Sequence, residues 1–333
     1  MMYRFILCLL LLVSGFLFAS NPFEQIIGDS VIIQHKPEQR ELAVYLTNVM
    51  DKQIFSFQKK LGVYPDNPVN VVLSPSEKWY DEQTKGRREI VKKAQAYYNG
   101  ADRSIIIRDP GSTRGVAALR TVFMHEYIHY FIDSYIASAP LWFHEGMAVY
   151  FSGGYGLNHE IVFARGYLFG RRPALLEMVA DYPESQNNWE MFYATSALAV
   201  KTMYKDFKPE FYRLWYSAEL TKHQTGNKAL FGQLFRKNFF MTVNQFDSYF
   251  RIQQKKVFIG HSSALIGSLI GPLMAIVLVF AFIRKKKDNK KLSKQWTEEE
   301  ELTDESPETG DPVSEGSWTE ESSPAQQTES IHN

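Results

Sequence analysis

The chain has 333 residues, with 37 Lys plus Arg balanced by 37 Asp plus Glu, and a single cysteine. That balance lacks the basic excess that nucleic-acid binding needs, so nucleic acid is not an expected partner. Because the cysteine is Cys8, everything after the first few residues is without a disulfide, a thiolate metal ligand or a thiol nucleophile.

Residues 1–20, MMYRFILCLLLLVSGFLFAS, carry Arg4, an apolar run from Phe5 to Val13, and small residues at Ala19 and Ser20. This is the layout of a secretory signal peptide, with an uncleaved N-terminal anchor as the alternative. The apolar core is short for a membrane span, which favours cleavage. Residues 37–61 place Leu42, Leu46, Val49, Ile54, Phe57 and Leu61 near helical spacing and predict an amphipathic helix. GVYPDNP breaks it, and the β-branched run VNVVLSPS (69–76) predicts a buried strand. AQAYYNGADRSIIIRDP (94–110) predicts a hairpin around Asn99-Gly100. Pro110-Gly111 ends it, and Ser112 or Thr113 can cap a helix over 113–136.

A short connection through Pro140 leads to a second helix at 142–151, stopped by Gly153-Gly154. The following residues, to about 256, have a helical, aromatic-rich pattern with polar breaks at 181–188 and 221–227. The expected fold class is therefore α+β: a domain over 21–256 whose mixed α/β half (21–136) runs into a helical half (137–256). Residues 21–260 hold 29 Lys plus Arg against 24 Asp plus Glu, a mild excess.

Residues 262–283, SSALIGSLIGPLMAIVLVFAFI, contain no charge over 22 positions and predict a transmembrane helix. RKKKDNKK follows at once, a cluster that favours the cytoplasmic side and so places 21–261 outside the cytoplasm. Gly267 and Gly271 form GxxxG within the span, with Ser263 extending the small-residue ridge, spacing that can pack two helices into a homodimer. The tail, 284–333, turns from basic to acidic and is expected to be cytoplasmic and disordered. Residues 295–333 carry 12 acids and no base, a composition that predicts disorder. WTEE recurs at Trp296 and Trp318, either as docking motifs for a cytoplasmic partner or by chance in a Glu-rich tail.

The chemistry is concentrated in residues 123–151, FMHEYIHYFIDSYIASAPLWFHEGMAVYF, which contain His-Glu twice. His125 and His129 are four residues apart, on one helix face and one turn apart, and can share a tetrahedral zinc ion. Glu126 is offset by about 100°, near enough to reach the open position of the metal without ligating it. There it can take a proton from water and pass it to a leaving amine. HExxH alone also recurs by chance in helices, but here the residues before it, VAALRTVFM, keep the helix apolar on its buried sides.

A zinc hydrolase usually has three protein ligands and one open position. His35, His144, His159, His223 and His261 show no zinc-type spacing, whereas Glu145 lies 16 residues after His129 on a helix that can fold back. Its neighbours Trp142, Phe143, Gly146 and Ala148 are apolar or small, and a bare carboxylate among them is costly unless paired or ligating. His144, about 100° round from Glu145, cannot readily face the same ion; it is a surface histidine or a neighbour of the ligands. Asp133, one turn past His129, either orients a ligand imidazole or is a solvated acid near the helix end.

HEYIH followed by PLWFHEGMAVYF resembles the gluzincin branch of zinc metallopeptidases, specifically the peptidase MA-like group, through Pro140, Trp142, Glu145, Gly146, Ala148 and Tyr150. The resemblance covers about 180 residues and is specific only at the two motifs. It implies a zincin-like fold, one Zn²⁺ per chain held by His125, His129 and Glu145, and Glu126 as general base and acid. It also implies Tyr193 as donor to the tetrahedral oxyanion, although packing is the commoner role of a tyrosine. A strand edge beside the motif helix, at 94–98 or 104–108, would hold a peptide or protein substrate in extended form. The expected activity is hydrolysis of peptide bonds outside the cytoplasm by a membrane-anchored zinc metallopeptidase. The alternative is a non-catalytic receptor or scaffold that keeps the fold and signals through the acidic tail. An intramembrane protease is excluded, because Arg120 and Asp133 bracket the motif within its helix.

Overall fold

The computed structural model describes residues 23–108, 115–168 and 173–304; of these, the side chains of 168, 256–270, 272 and 298–304 are not described. The signal peptide expected at 1–20, the capping residues Ser112 and Thr113, and the tail from 305 onward lie outside the described residues.

The fold is mixed α+β. Its sheet has five strands: β1 (Glu24–Ile27), β2 (Val31–His35), β3 (Val69–Leu73), β4 (Ala96–Asn99) and β5 (Ser104–Ile107), in the order β1-β2-β3-β5-β4. The central pairs β2/β3 and β3/β5 are parallel, and the two outer pairs are antiparallel. Val31 and Ile33, Val69, Val71 and Leu73, and Ile105 and Ile107 are buried at alternate positions, the period-2 signature of one face turned to the core. Helix α1 (Arg40–Leu61) makes the crossover from β2 to β3 and ends on Gly62, whose φ of 74° is the left-handed conformation glycine adopts cheaply. Its buried Leu46, Met50, Ile54 and Phe57 cover the sheet, as the spacing predicts. On the other face, Ile106 joins Tyr80 and Tyr97 in a small cluster under α2 (Glu77–Gln83) and α3 (Glu89–Lys93).

The hairpin forms, with Asn99 opposite Ser104. Its turn spans the intervening residues 100–103, with Arg103 at a φ of 55°. The opening strand pair β1–β2 adds to the elements expected; at four and five residues the strands are too short to announce a period.

Helix α4 (Val116–Tyr135) passes into a two-residue strand, β6 (Ile136–Ala137), then to Pro140, the cap of α5 (Leu141–Phe151). The helical half continues with α6 (Leu157–Leu168), α7 (Trp189–Asp206), α8 (Lys208–Thr225), β7 (Ala229–Leu230), which pairs with β6, and α9 (Phe231–Phe239). Its aromatic richness is core: Phe143 packs on Trp215 and Phe231, with ring centroids 6.1 and 4.9 Å apart, and Trp142 stacks on Phe246 at 6.3 Å. Gly146 lets α5 and α7 approach closely. A Cβ there would stand 2.3 Å from the backbone oxygen of Ser196, a distance no side chain tolerates.

The described residues fall into two compact units, one ending at Leu265 and the other beginning at Ile266. The last helix, α10, runs over Val243–Asp304, and Phe246 and Phe250 near its start are buried. The helix therefore includes 284–304, where disorder was expected. Lysine- and glutamate-rich sequence has good helix propensity, and here it extends a helix already nucleated, which costs far less than starting one. Among the described residues, no helix is long and apolar enough to cross a membrane. Gly271 is exposed, while the side-chain surroundings of Gly267 lie outside the described residues.

Candidate metal centre

Two helices build the site. On α4, Phe123, Tyr127, Ile128 and Phe131 are buried, which leaves His125 and His129 on the face turned to a cleft. Their rings stand one turn apart, with centroids at 4.9 Å, and the side chains are 23 % and 13 % exposed. On α5, Glu145 is only 2 % exposed and points at both rings. His125 Nε2 lies 3.3 Å from Glu145 Oε2, and His129 Nε2 lies 3.6 Å from Glu145 Oε1.

Those lengths have a simple reading. Ligand atoms about 2.0–2.2 Å from a tetrahedral zinc ion are separated by roughly 3.3–3.6 Å along each edge. The two His–Glu distances fall in that range, each to a different oxygen of the carboxylate, and one ligand atom from each residue lies within 4.8 Å of the others. Among the described residues none donates a hydrogen bond to the buried Glu145 Oε2, an orphan that a cation would satisfy. Two imidazoles and a carboxylate form a donor set that could hold a metal ion.

Tyr182 completes the support of Glu145 by donating its hydroxyl to Oε1. It stands in the loop before α7, which is tied to α5 by the Leu141 N–H donating to the Val179 carbonyl at 2.7 Å. Nothing in the motif spacing points to Tyr182. The available signal is a lone aromatic hydroxyl inside the polar break DYPESQNN.

Glu126 lines the same cleft without joining the triad, and its partner is the sheet. The Tyr98 backbone N–H on β4 donates to Glu126 Oε2 at 2.8 Å. The two glutamates titrate in opposite directions. Burial, reinforced by the Glu145 charge, pushes Glu126 up to about 7. Burial would also raise Glu145, but His129, His125 and the Tyr182 hydroxyl outweigh it and hold the carboxyl at about 2. Burial pushes His129 down to about 3, a neutral imidazole suited to ligation. Burial acts the same way on His125, yet the Glu145 carboxylate 3.3 Å from its Nε2 prevails and raises it.

The remaining expected residues fall around this centre. His144 is not one of the converging ligands; its Nδ1 lies 3.4 Å from Nδ1 of His129, behind the imidazole. Tyr193, on α7, lines the cleft beside Tyr182, with ring centroids 6.4 Å apart, and makes no hydrogen bond to the triad. Burial raises its hydroxyl pKa, so it remains a proton donor. Asp133 neither orients an imidazole nor stands free in solvent. Its carboxylate accepts from the Tyr98 hydroxyl at 2.8 Å and pairs with Lys228 at 2.7 Å, fastening β4 to α4. Of the two expected strand edges, 104–108 is unavailable because β5 is paired on both sides, whereas β4 ends the sheet and lines the cleft.

Compared with models of known protein families and with curated proteins, the sequence matches none. The centre rests on its own geometry: a His-His-Glu group whose ligand atoms converge, with a separate carboxylate bonded to an edge strand.

Proposed function

We propose that the protein is a zinc metallopeptidase of the gluzincin type that hydrolyses peptide bonds. The observation that carries this reading is the approach of Glu145 to His125 and His129 at 3.3 and 3.6 Å, from a different helix and with a buried oxygen left unsatisfied. A zinc ion bound there supplies Lewis-acid polarisation of a carbonyl and acidifies water.

The chain's own residues do the rest. Glu126, at a pKa near neutrality, can accept a proton from water and return it to a leaving amine. Its grip on the Tyr98 N–H aligns that carboxylate with the strand edge, where an extended peptide can pair. Tyr193, protonated and lining the cleft, would donate to the developing oxyanion. Tyr182 holds Glu145 charged and in place.

Anchoring by residues 262–283, with the catalytic domain outside the cytoplasm, belongs to the same proposal. It is supported by the uncharged sequence, by the basic cluster after it, and by Leu273, Val277, Phe280 and Ile283, all exposed to solvent on α10. The test uses the full chain in detergent. It should contain one zinc per chain and cleave peptides; Glu126→Gln should keep the zinc and lose the cleavage. A chain that holds no zinc, or a Glu126→Gln protein as active as the parent, sinks the proposal.

A further inference from the structure

Across α4 from the metal centre lies a second cavity, of about 570 Å³, between α1, the first half of α4 and the end of α5. Its α1 wall is one helical stripe, Val49, Lys52, Gln53, Ser56 and Lys60. Arg120 and Met124, one turn apart, face it from α4, and Phe151 closes it. Three cations thus line one cavity with no carboxylate among the lining residues. Asp51, adjacent on α1, is engaged elsewhere, accepting from the Asp29 and Ser30 backbone N–H groups.

Two atoms in this wall lack partners. Among the described residues, the buried Arg120 Nε finds no acceptor and the buried Gln53 Oε1 finds no donor. An unmet guanidinium donor in the interior is costly, and unmet groups at a cavity point to something that fills it. Rotating the Gln53 amide presents its NH₂ donors at the same place. Lys60 Nζ is poised over the Phe151 and Tyr204 rings, 5.5 Å from each centroid, with its ammonium donors still free.

We propose that this cavity is a binding site for the phosphate class of oxyanion. A single carboxylate would leave most of the triple positive charge uncompensated. A phosphate group, at about −1.5 to −2 with three acceptor oxygens, matches both the charge and the donors. The apolar walls of Val49, Phe57, Met124 and Phe151 leave room for an organic body on the phosphate. Inorganic phosphate and the headgroup of a phosphorylated amphiphile share this chemistry.

Thermal unfolding and calorimetric titration of the full chain in neutral detergent test the site. The probes are inorganic phosphate, then dihexanoyl phosphatidic acid, with dihexanoyl phosphatidylcholine and chloride at matched ionic strength as controls. Phosphate should raise the unfolding temperature saturably, and Arg120→Gln should weaken its binding about ten-fold or more. The pair Lys52→Ser with Lys60→Ser, at exposed positions, should do the same, while the ligand-free chain still unfolds cooperatively and loses no more than the exposed cation–π contacts of Lys60 supply. Binding of the phosphatidic acid at least ten-fold tighter than phosphate would assign the headgroup; equal or weaker binding would assign the free ion. A response that does not saturate or that chloride reproduces would overturn the proposal, as would unchanged binding in both sets of variants.

Discussion

The dipeptide His-Glu occurs in α4 and again in α5, and its two copies are used in opposite ways. In His125-Glu126 the histidine faces the metal position while the glutamate turns to β4. In His144-Glu145 the glutamate faces it while the histidine stands behind His129. Both glutamates are buried, yet one is pushed up to about 7 and the other held down to about 2. Burial is common to them; the difference lies in the company. Two imidazoles and a phenol stabilise the Glu145 anion, whereas Glu126 has only the His125 charge and one backbone N–H, set against burial and a repelling carboxylate. A residue pair therefore has no chemistry until the helix face and its neighbours are known.

The same substitution at both glutamates exposes the contrast most strongly. Glu126→Gln should lower kcat about a thousand-fold with zinc content unchanged. Glu145→Gln should instead weaken zinc binding by roughly two to three orders of magnitude, with activity falling for want of metal. Inductively coupled plasma measurements beside peptide assays separate the outcomes; equal zinc loss in both variants would erase the distinction. Among the histidines, His129→Ala should empty the site, while His144→Ala should cost about ten-fold in zinc affinity, the scale of a residue that touches a ligand from behind.

Packing at the back of α5 comes next. Gly146→Ala puts a methyl 2.3 Å from the Ser196 carbonyl, so α5 and α7 must separate. Thermal or urea unfolding should show a loss of about 1–3 kcal/mol, the usual range for overpacking. Zinc binding should weaken along with it, because Glu145 is the adjacent residue. An unchanged midpoint would mean that the helices are not held at this separation.

Much of this was legible in the sequence because helices write their geometry locally. His125 and His129 are related by one turn, and Glu145 is picked out by its apolar neighbours and by the short Pro-containing return to α4. The α1 and β3 patterns were equally readable, since each has a buried face of regular period. Tyr182 and the Tyr98 N–H were not. Their roles depend on a loop and a sheet edge brought to the cleft by contacts distant in sequence, and no spacing rule reaches across 37 or 28 positions. Asp133 illustrates the reverse error: helical position puts it one turn from His129, but the hairpin and Lys228 claim both of its oxygens. The helical stretch beyond Arg284 was missed because composition predicts disorder for a chain considered alone, not for one continuing an existing helix.

The smallest effects refine the contrast between residues that touch a ligand and residues that merely stand near one. Tyr182→Phe removes the hydroxyl on Glu145 Oε1 and should lower zinc affinity roughly ten-fold, with little change in stability. Asp133→Asn should leave zinc affinity where it was, because neither carboxylate oxygen reaches His129 in the structure. It breaks the pair with Lys228, whose side chain is 38 % exposed, so the stability loss should stay within about 1 kcal/mol. The residual signature should appear at the sheet edge. With the Tyr98 hydroxyl held less firmly, amide exchange in β4 should quicken while α4 stays protected. A drop in zinc affinity as large as that of Tyr182→Phe would instead return Asp133 to the imidazoles, and with it the reading made from helical position alone.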